Sequence, residues 1–172
     1  LYQAGITLNL NGGTINNAEN LTPPDTINFN GATIQVTPLS TFVTPSSSTL
    51  TLTGTNTLSG DMLLSGDLIW LSGVLQNSGA ASLTTDLIST TTLGASGSTT
   101  LDGVDWVNDG HVDWVSADDF IINNATFTNS IFAGGTFNVD TNNNNADITG
   151  NGSFDNEGFF SITPTANSSD LN

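Results

Sequence analysis

Carboxylates make up almost all of the side chains in this sequence that could do chemistry. Asp118 and Asp119 form the only adjacent acidic pair. Four further aspartates precede them: Asp102, Asp105, Asp109 and Asp113. Glycoside hydrolysis needs two carboxyl groups a few ångströms apart, and such a pair could come from this stretch. Aspartate is also a common turn residue, because its side chain hydrogen-bonds the nearby backbone.

The same carboxylates also suit calcium, which takes six to eight hard oxygen ligands. The candidate ligands form groups in sequence: Asp102 with Asp105, Asp109 with Asp113, Asp118 with Asp119, and Asp140 with Asp147 and the asparagines at 142–145. None of them matches an EF-hand loop or the glycine-rich calcium nonapeptide. Two interpretations therefore stay open, a Ca²⁺ site or acidic loops in contact with solvent.

Basic side chains are absent: the chain has 0 Lys and Arg against 16 Asp and Glu, a formal net charge of −16. Lyases of the pectate type need a basic side chain to abstract a proton, so the composition argues against them. A serine hydrolase is also not indicated, because His111 is the single histidine and no serine nucleophile motif accompanies it. Nucleic-acid phosphates and anionic lipids need a basic patch, and no apolar run reaches membrane-spanning length. We expect a non-enzymatic protein with no nucleic-acid partner and no membrane insertion.

The elements that must position these residues are short strands. Apolar residues alternate with polar ones, as in Thr-Leu-Thr-Leu-Thr at 49–53, which is typical of half-buried strands. Helical periodicity with capping residues is missing, and the absence of cysteine excludes a disulfide framework. The sequence predicts an all-β protein.

An apolar–x–Asn–x–Gly pattern recurs between strands. It occurs in residues 75–83, 106–114 and 154–162, and its central residues are Asn77 and Gly79, Asn108 and Gly110, and Asn156 and Gly158. We expect these pairs to form equivalent corners, because Asn and Gly tolerate positive φ. Repeats of 20–50 residues indicate a β-solenoid, a parallel β-helix with loops of different length. Because Asp109-Gly110 also suits a hairpin, a β-sandwich or jelly roll is the alternative.

Prolines divide the chain. Four of the 5 prolines lie before residue 46 and interrupt strand pairing there. We therefore expect residues 1–48 to form an N-terminal strand-containing arm or irregular first coils, and residues 49–172 to form the solenoid repeats. The first residue is not Met and no signal-peptide pattern follows it, which suggests a processed chain or a piece of a larger one.

Residues 50–163, about two thirds of the chain, resemble the repeat-rich β-helix regions of large secreted bacterial surface proteins, of the filamentous-haemagglutinin-like adhesin and autotransporter-passenger type. The matching pieces are Gly-Asp-Leu-Ile-Trp-Leu-Ser-Gly at 66–73, Thr-Thr-Leu-Asp-Gly at 99–103, and residues 106–114, 125–129 and 152–158. The resemblance implies an extracellular or cell-surface structural protein. Its partners would be further copies stacked head-to-tail, neighbouring repeats of a longer chain, or surface glycans.

The second hypothesis is a carbohydrate-binding or carbohydrate-cleaving β-helix. Trp70, Trp106 and Trp114 could form a face on which sugars stack. Trp106 and Trp114 occupy positions held by aliphatic residues in the other copies of the pattern, which favours burial in the core. Burial of the three tryptophans would favour a scaffold, and a shared exposed groove would favour a sugar site.

Overall fold

The structure is a computed structural model that describes residues 5–21, 23–132, 134–140 and 146–163. Over these residues the chain winds through about seven turns of a β-solenoid. Strands of successive coils pair in parallel, as β-helices require and hairpins do not allow. The predicted parallel β-helix is therefore confirmed, and the sandwich alternative is wrong.

One strand of each coil contributes to sheet 1. Within the described ranges this sheet has the following eight strands in axial order: β1 (Thr7–Asn11), β3 (Thr26–Asn30), β6 (Thr49–Thr53), β8 (Asp67–Trp70), β10 (Thr90–Leu93), β13 (His111–Trp114), β16 (Thr136–Val139) and β19 (Phe159–Ile162).

The second sheet has two halves, sheets 2a and 2b, which the long strands β7 (Thr55–Leu64) and β9 (Gly73–Thr85) join because they run through both. The other strands of sheet 2a are β2 (Thr14–Ile15), β4 (Thr33–Gln35), β11 (Thr99–Asp102), β14 (Phe120–Asn123) and β17 (Ile148–Thr149). The other strands of sheet 2b are β5 (Thr41–Thr44), β12 (Asp105–Asn108), β15 (Thr126–Asn129) and β18 (Ser153–Asn156). Each full coil passes through sheet 1, sheet 2a and sheet 2b in that order.

Register is kept from coil to coil although the coils differ in length. The first outward column of sheet 1 consists of Thr7, Thr26, Thr49, Asp67, Thr90, His111, Thr136 and Phe159. Successive members are 18 to 25 residues apart. Loops at the corners absorb these differences, so the strand alternation seen in the sequence keeps its apolar side facing inward.

Large apolar side chains fill the interior. Trp70, Trp106 and Trp114 are fully buried, which confirms the core role predicted for Trp106 and Trp114. The Trp106 ring meets Phe127 edge-on at 4.8 Å, and Phe127 stacks on Phe154 at 5.1 Å, so aromatic contacts run along the axis. Such pairs stabilise by about 0.5–1.5 kcal/mol each beyond their buried area.

The described part of residues 1–48 carries the first coils. Strands β3 and β4 pair with β6 and β7 of the same chain, and Phe29 and Phe42 are buried in the common core. A single 3₁₀ turn at Ala18–Asn20 packs against β5. The described residues between 5 and 48 thus belong to the same solenoid as the later coils, through both sheets.

Candidate functional site

The most ordered polar cluster lies at the corner where each coil passes from sheet 2b to sheet 1. The last residues of the sheet 2b strands form an inward column: Thr44, Leu64, Thr85, Asn108, Asn129 and Asn156. Thr85 Oγ1 donates to Asn108 Oδ1 over 2.9 Å, and Asn108 Nδ2 donates to Asn129 Oδ1 over 2.8 Å. Asn129 Nδ2 continues to Asn156 Oδ1 over 2.8 Å. We call these four side chains the amide ladder.

The amide ladder also satisfies the backbone of the corner. Asn108 accepts from the N–H of Gly110 over 3.2 Å and donates to the carbonyl of Thr136 over 3.1 Å. Asn129 donates to the carbonyl of Phe159 over 3.0 Å. The indole N–H of Trp106 donates to Thr85 Oγ1 over 3.1 Å, so the ladder and the aromatic core are linked. These bonds matter because an unpaired buried polar group costs about 1–3 kcal/mol.

Asn108 and Asn156 lie in this column, but the predicted equivalence of Asn77 and Gly79 with them is wrong. Asn77 pairs with Leu58 and donates to the carbonyl of Gly103 over 2.6 Å, at the bend between sheets 2a and 2b. Thr85 holds the corresponding corner of that coil. The pattern at 75–83 therefore spans a different bend, the one between sheets 2a and 2b. The sequence alone does not reveal this difference, because the coils are of unequal length.

The predicted reason, a positive φ, is wrong for the corners of Gly110 and Gly158, and among the three predicted glycines it holds only for Gly79, whose φ is 148°. Among the described non-glycine residues, positive φ occurs at Asn17, Leu39 and Asn124, and neither Gly110 nor Gly158 has it. A Cβ on Gly110 would lie 2.5 Å from the carbonyl oxygens of Asp86 and Ser89. Glycine is required here because the backbone of the preceding coil is too close for any side chain, which is one of its general uses.

Corners of two lengths alternate along this edge. Between the inward column and sheet 1, long loops at 86–89 and from Ser130 to Gly135 alternate with two-residue corners, Asp109-Gly110 and Glu157-Gly158. The long loops carry exposed apolar pairs. Leu87 and Ile88 are 59 % and 65 % exposed, and Ile131 and Phe132 are 62 % and 94 % exposed. We call these two pairs ridge 1 and ridge 2; the sequence interpretation missed them, although adjacent apolar residues inside a turn were the available signal.

The eight aspartates proposed as calcium ligands are dispersed over the surface. They occupy sheet 2a (Asp102), sheet 2b (Asp105), the amide-ladder corner (Asp109), sheet 1 (Asp113) and the corner between sheets 1 and 2a (Asp118, Asp119, Asp140 and Asp147). No three His, Cys, Asp or Glu side chains of the described ranges converge as a metal-binding group. The asparagines at 142–145 lie outside the described residues.

Several of these carboxylates hydrogen-bond the neighbouring coil. Asp105 accepts from the N–H of Thr126 over 2.8 Å, and Asp119 accepts from the N–H of Asp147 over 3.1 Å. Asp113 accepts from Asn138 over 3.1 Å and contacts His111 Nε2 at 2.9 Å. Asp118, next to Asp119, is exposed and its own N–H donates to Ser116. The geometry thus uses acidic side chains to tie coils together.

The described part of the chain contains no helix long and apolar enough to cross a membrane. Comparison with known proteins finds no matching family model, no matching curated protein and no matching solved structure. The likeness to adhesin repeats therefore rests on the sequence motifs and on the β-solenoid itself.

Proposed function

We propose that the chain is a non-enzymatic structural β-solenoid, a subunit or segment of an extracellular surface fibre or adhesin whose units stack end to end. The observation that carries the proposal is the amide ladder with its adjoining aromatic column. Both run along the solenoid axis, and the ladder links the four successive coils of Thr85, Asn108, Asn129 and Asn156, so this part of the interior should resist shear between coils. An interior of this kind would keep successive coils mechanically connected along the axis.

Partly exposed core residues in the outermost described coils support end-to-end stacking. Leu8 and Leu10 in β1, and Phe154, Phe160 and Ile162 in β18 and β19, pack on the core but are only partly buried. One further coil at either side would bury them, and parallel strand edges can accept it through backbone hydrogen bonds. That coil would belong to another copy or to the same longer chain. Contacts between unlike ends build open fibres when their rotation does not close.

Burial of the three tryptophans favours this scaffold over the carbohydrate-site alternative, because none of their rings is available for sugar stacking. An extracellular setting is supported by the resemblance and by the total absence of Lys and Arg, which leaves no trypsin cleavage position. A Ca²⁺ role belongs to the same proposal, since cations would reduce the repulsion between units of net charge −16.

Electron microscopy and sedimentation over a wide concentration range test the proposal. We expect filaments at high concentration, in which the described coils of one unit account for about 34 Å, seven coils at about 4.8 Å each. Phe160→Asp, which places a charge on the inward face of the last described strand, should abolish growth. Phe159→Asp makes the same chemical change on the outward face and should leave growth intact. A chain that stays monomeric at every concentration, or two variants that behave alike, would contradict end-to-end stacking.

A further inference from the structure

Ridge 1 is apolar although the turn beneath it does not require apolar residues. In residues 86–89 the N–H and hydroxyl of Ser89 both donate to the carbonyl of Asp86, over 2.8 and 2.7 Å. Residues 45–48 form the same turn two coils earlier, where the N–H and hydroxyl of Ser48 donate to the carbonyl of Pro45 over 3.0 and 2.7 Å. The exposed tips of that turn are serines. Polar residues at the tip of this turn are thus compatible with the fold, so folding alone does not account for the exposed Leu87 and Ile88.

Ridge 2 exposes a second apolar pair two coils after ridge 1. Its loop is held by the N–H of Gly135, which donates to the carbonyl of Ser130 over 2.8 Å. Because adjacent coils are about 4.8 Å apart, the two ridges lie about 9.6 Å apart along the axis. A hollow of about 330 Å³ lies beyond ridge 2, between Ile131 and Glu157. The edge therefore alternates apolar ridges with recesses.

Each recess after a ridge carries a carboxylate. Asp109 follows ridge 1 and Glu157 follows ridge 2, and both belong to the column of residues whose N–H groups donate to the inward column one coil earlier. These two carboxylates are two coils apart, again about 9.6 Å. Since the chain has no Lys or Arg, His111 is its only side chain that can become cationic, and it contacts Asp113 on sheet 1.

We propose that this edge, formed by Leu87, Ile88, Asp109, Ile131, Phe132 and Glu157, binds a basic polyproline II segment of another protein. A polyproline II helix has three residues per turn and rises about 3.1 Å per residue, so every third side chain returns to the same face after about 9.3 Å. Lys or Arg at every third position would enter successive recesses, and the apolar residues between them would lie on ridge 2. A second copy of this chain cannot supply the cations.

The probe is a synthetic peptide, acetyl-Lys-Pro-Leu-Lys-Pro-Leu-Lys-amide, titrated into the full chain and followed by calorimetry. We expect binding that weakens as NaCl rises from about 50 to about 500 mM, because exposed charge pairs are screened. A peptide of the same composition with its three lysines adjacent should bind at least about tenfold more weakly. A peptide with Glu in place of Lys should not bind.

Variants locate the binding surface. Leu87→Ser with Ile88→Ser copies the serine-tipped turn at 45–48, and Phe132→Ser removes the most exposed ring. Each should weaken binding about tenfold, as loss of a buried anchor does, with the melting temperature unchanged. Asp109→Asn should also weaken binding, whereas Asp118→Asn, the same charge change at another corner, should not.

Three results would overturn the proposal. The first is equal binding of the regularly spaced and the adjacent-lysine peptides. The second is equal loss of binding in Asp109→Asn and Asp118→Asn. The third is a change of sedimentation in Phe132→Ser, or binding of the unmodified chain to neutral phosphatidylcholine vesicles, with no peptide binding, which would assign the ridges to self-association or to a lipid surface.

Discussion

Asn129 lies one coil beyond Asn108 and accepts a 2.8 Å hydrogen bond from its Nδ2 while its own Nδ2 donates to Asn156. Asn129 therefore both accepts and donates along the axis inside the core. Bonds in such a chain polarise one another, and loss of one member removes a partner from both neighbours.

Asn129→Ala is expected to lower the free energy of unfolding by about 2–4 kcal/mol, because it creates a cavity and removes a hydrogen-bond partner from the buried Asn108. Asn156→Ala, at the exposed end of the ladder, should cost about 1 kcal/mol or less. Urea denaturation followed by circular dichroism measures both. Equal losses would show that the ladder does not act as a continuous chain.

A pair of Thr→Val substitutions should have opposite signs. Thr91 is buried in sheet 1, and its Oγ1 has no partner among the described residues, so Thr91→Val should stabilise by about 1 kcal/mol. Thr85 Oγ1 receives the indole N–H of Trp106 and donates to Asn108, so Thr85→Val should destabilise by about 1–3 kcal/mol. Thermal unfolding of the two variants in parallel decides the point. Destabilisation by Thr91→Val would indicate that a water molecule bonds its hydroxyl.

The sequence was sufficient to predict the strands but not the corners. Alternation such as Thr-Leu-Thr-Leu-Thr becomes β6 with its leucines inward, because burial of one face determines strand register. Trp106 and Trp114 were predicted as core residues because other copies of the pattern hold apolar residues at their positions. The position of Asn77 was not predictable, since a coil can gain or lose residues at any bend and a local pattern does not report which bend it occupies.

The candidate site depended on contacts that no local pattern encodes. Thr85 has no Asn-x-Gly signature, and only pairing in register with Asn108 places it in the amide ladder. Ridges 1 and 2 can be recognised as parts of one surface only when the position of the recessed Asp109 corner between them is known. To predict a site whose residues lie one or two coils apart, the length of each coil must be known, and these lengths vary.

Gly110 is expected to tolerate no side chain. Gly110→Ala should destabilise the protein by about 2–4 kcal/mol, because its Cβ would lie 2.5 Å from two carbonyl oxygens. Gly12, whose φ is 71°, has open space where a methyl group would lie, so Gly12→Ala should cost only about 1 kcal/mol of backbone strain. Gly12→Asn should cost less, because Asn tolerates that conformation. Calorimetric melting temperatures compare the three, and a Gly110→Ala protein as stable as Gly12→Asn would contradict the crowding.

Acid should weaken the first coils through Glu19. The hydroxyl of Thr37, and then its N–H at 3.0 Å, donate to the Glu19 carboxylate and lower its pKa below the ordinary 4.5. A carboxyl whose pKa is lower in the folded state stabilises fully above its unfolded pKa, and loses that contribution as pH falls through the folded pKa. Glu19→Gln should therefore unfold more easily than the natural chain at pH 7, and the difference should disappear at low pH. Thr37→Val should show the same pH dependence; a difference that persists in acid would contradict the assignment.

Calcium is expected to raise stability and promote stacking. Carboxylates such as Asp118 are exposed, and the net charge of −16 opposes close approach of two units. Millimolar Ca²⁺ at low salt should therefore raise the melting temperature and the sedimentation coefficient, and EDTA should reverse both. Magnesium is the matched control, because it gives up its water less readily. Unchanged melting and assembly after EDTA treatment would remove calcium from the proposal.

The fixed coil spacing restricts the distance between ridges 1 and 2 to discrete values. Backbone hydrogen bonds hold neighbouring strands about 4.8 Å apart, so the interval between ridges cannot be adjusted by small movements. It can change only when a whole coil is inserted or deleted, in steps of about 4.8 Å. Because long corners alternate with two-residue corners, loss of one coil would bring two ridges into contact and remove a recess. Loss of two adjacent coils would restore the alternation, so evolution along this edge should proceed by pairs of coils.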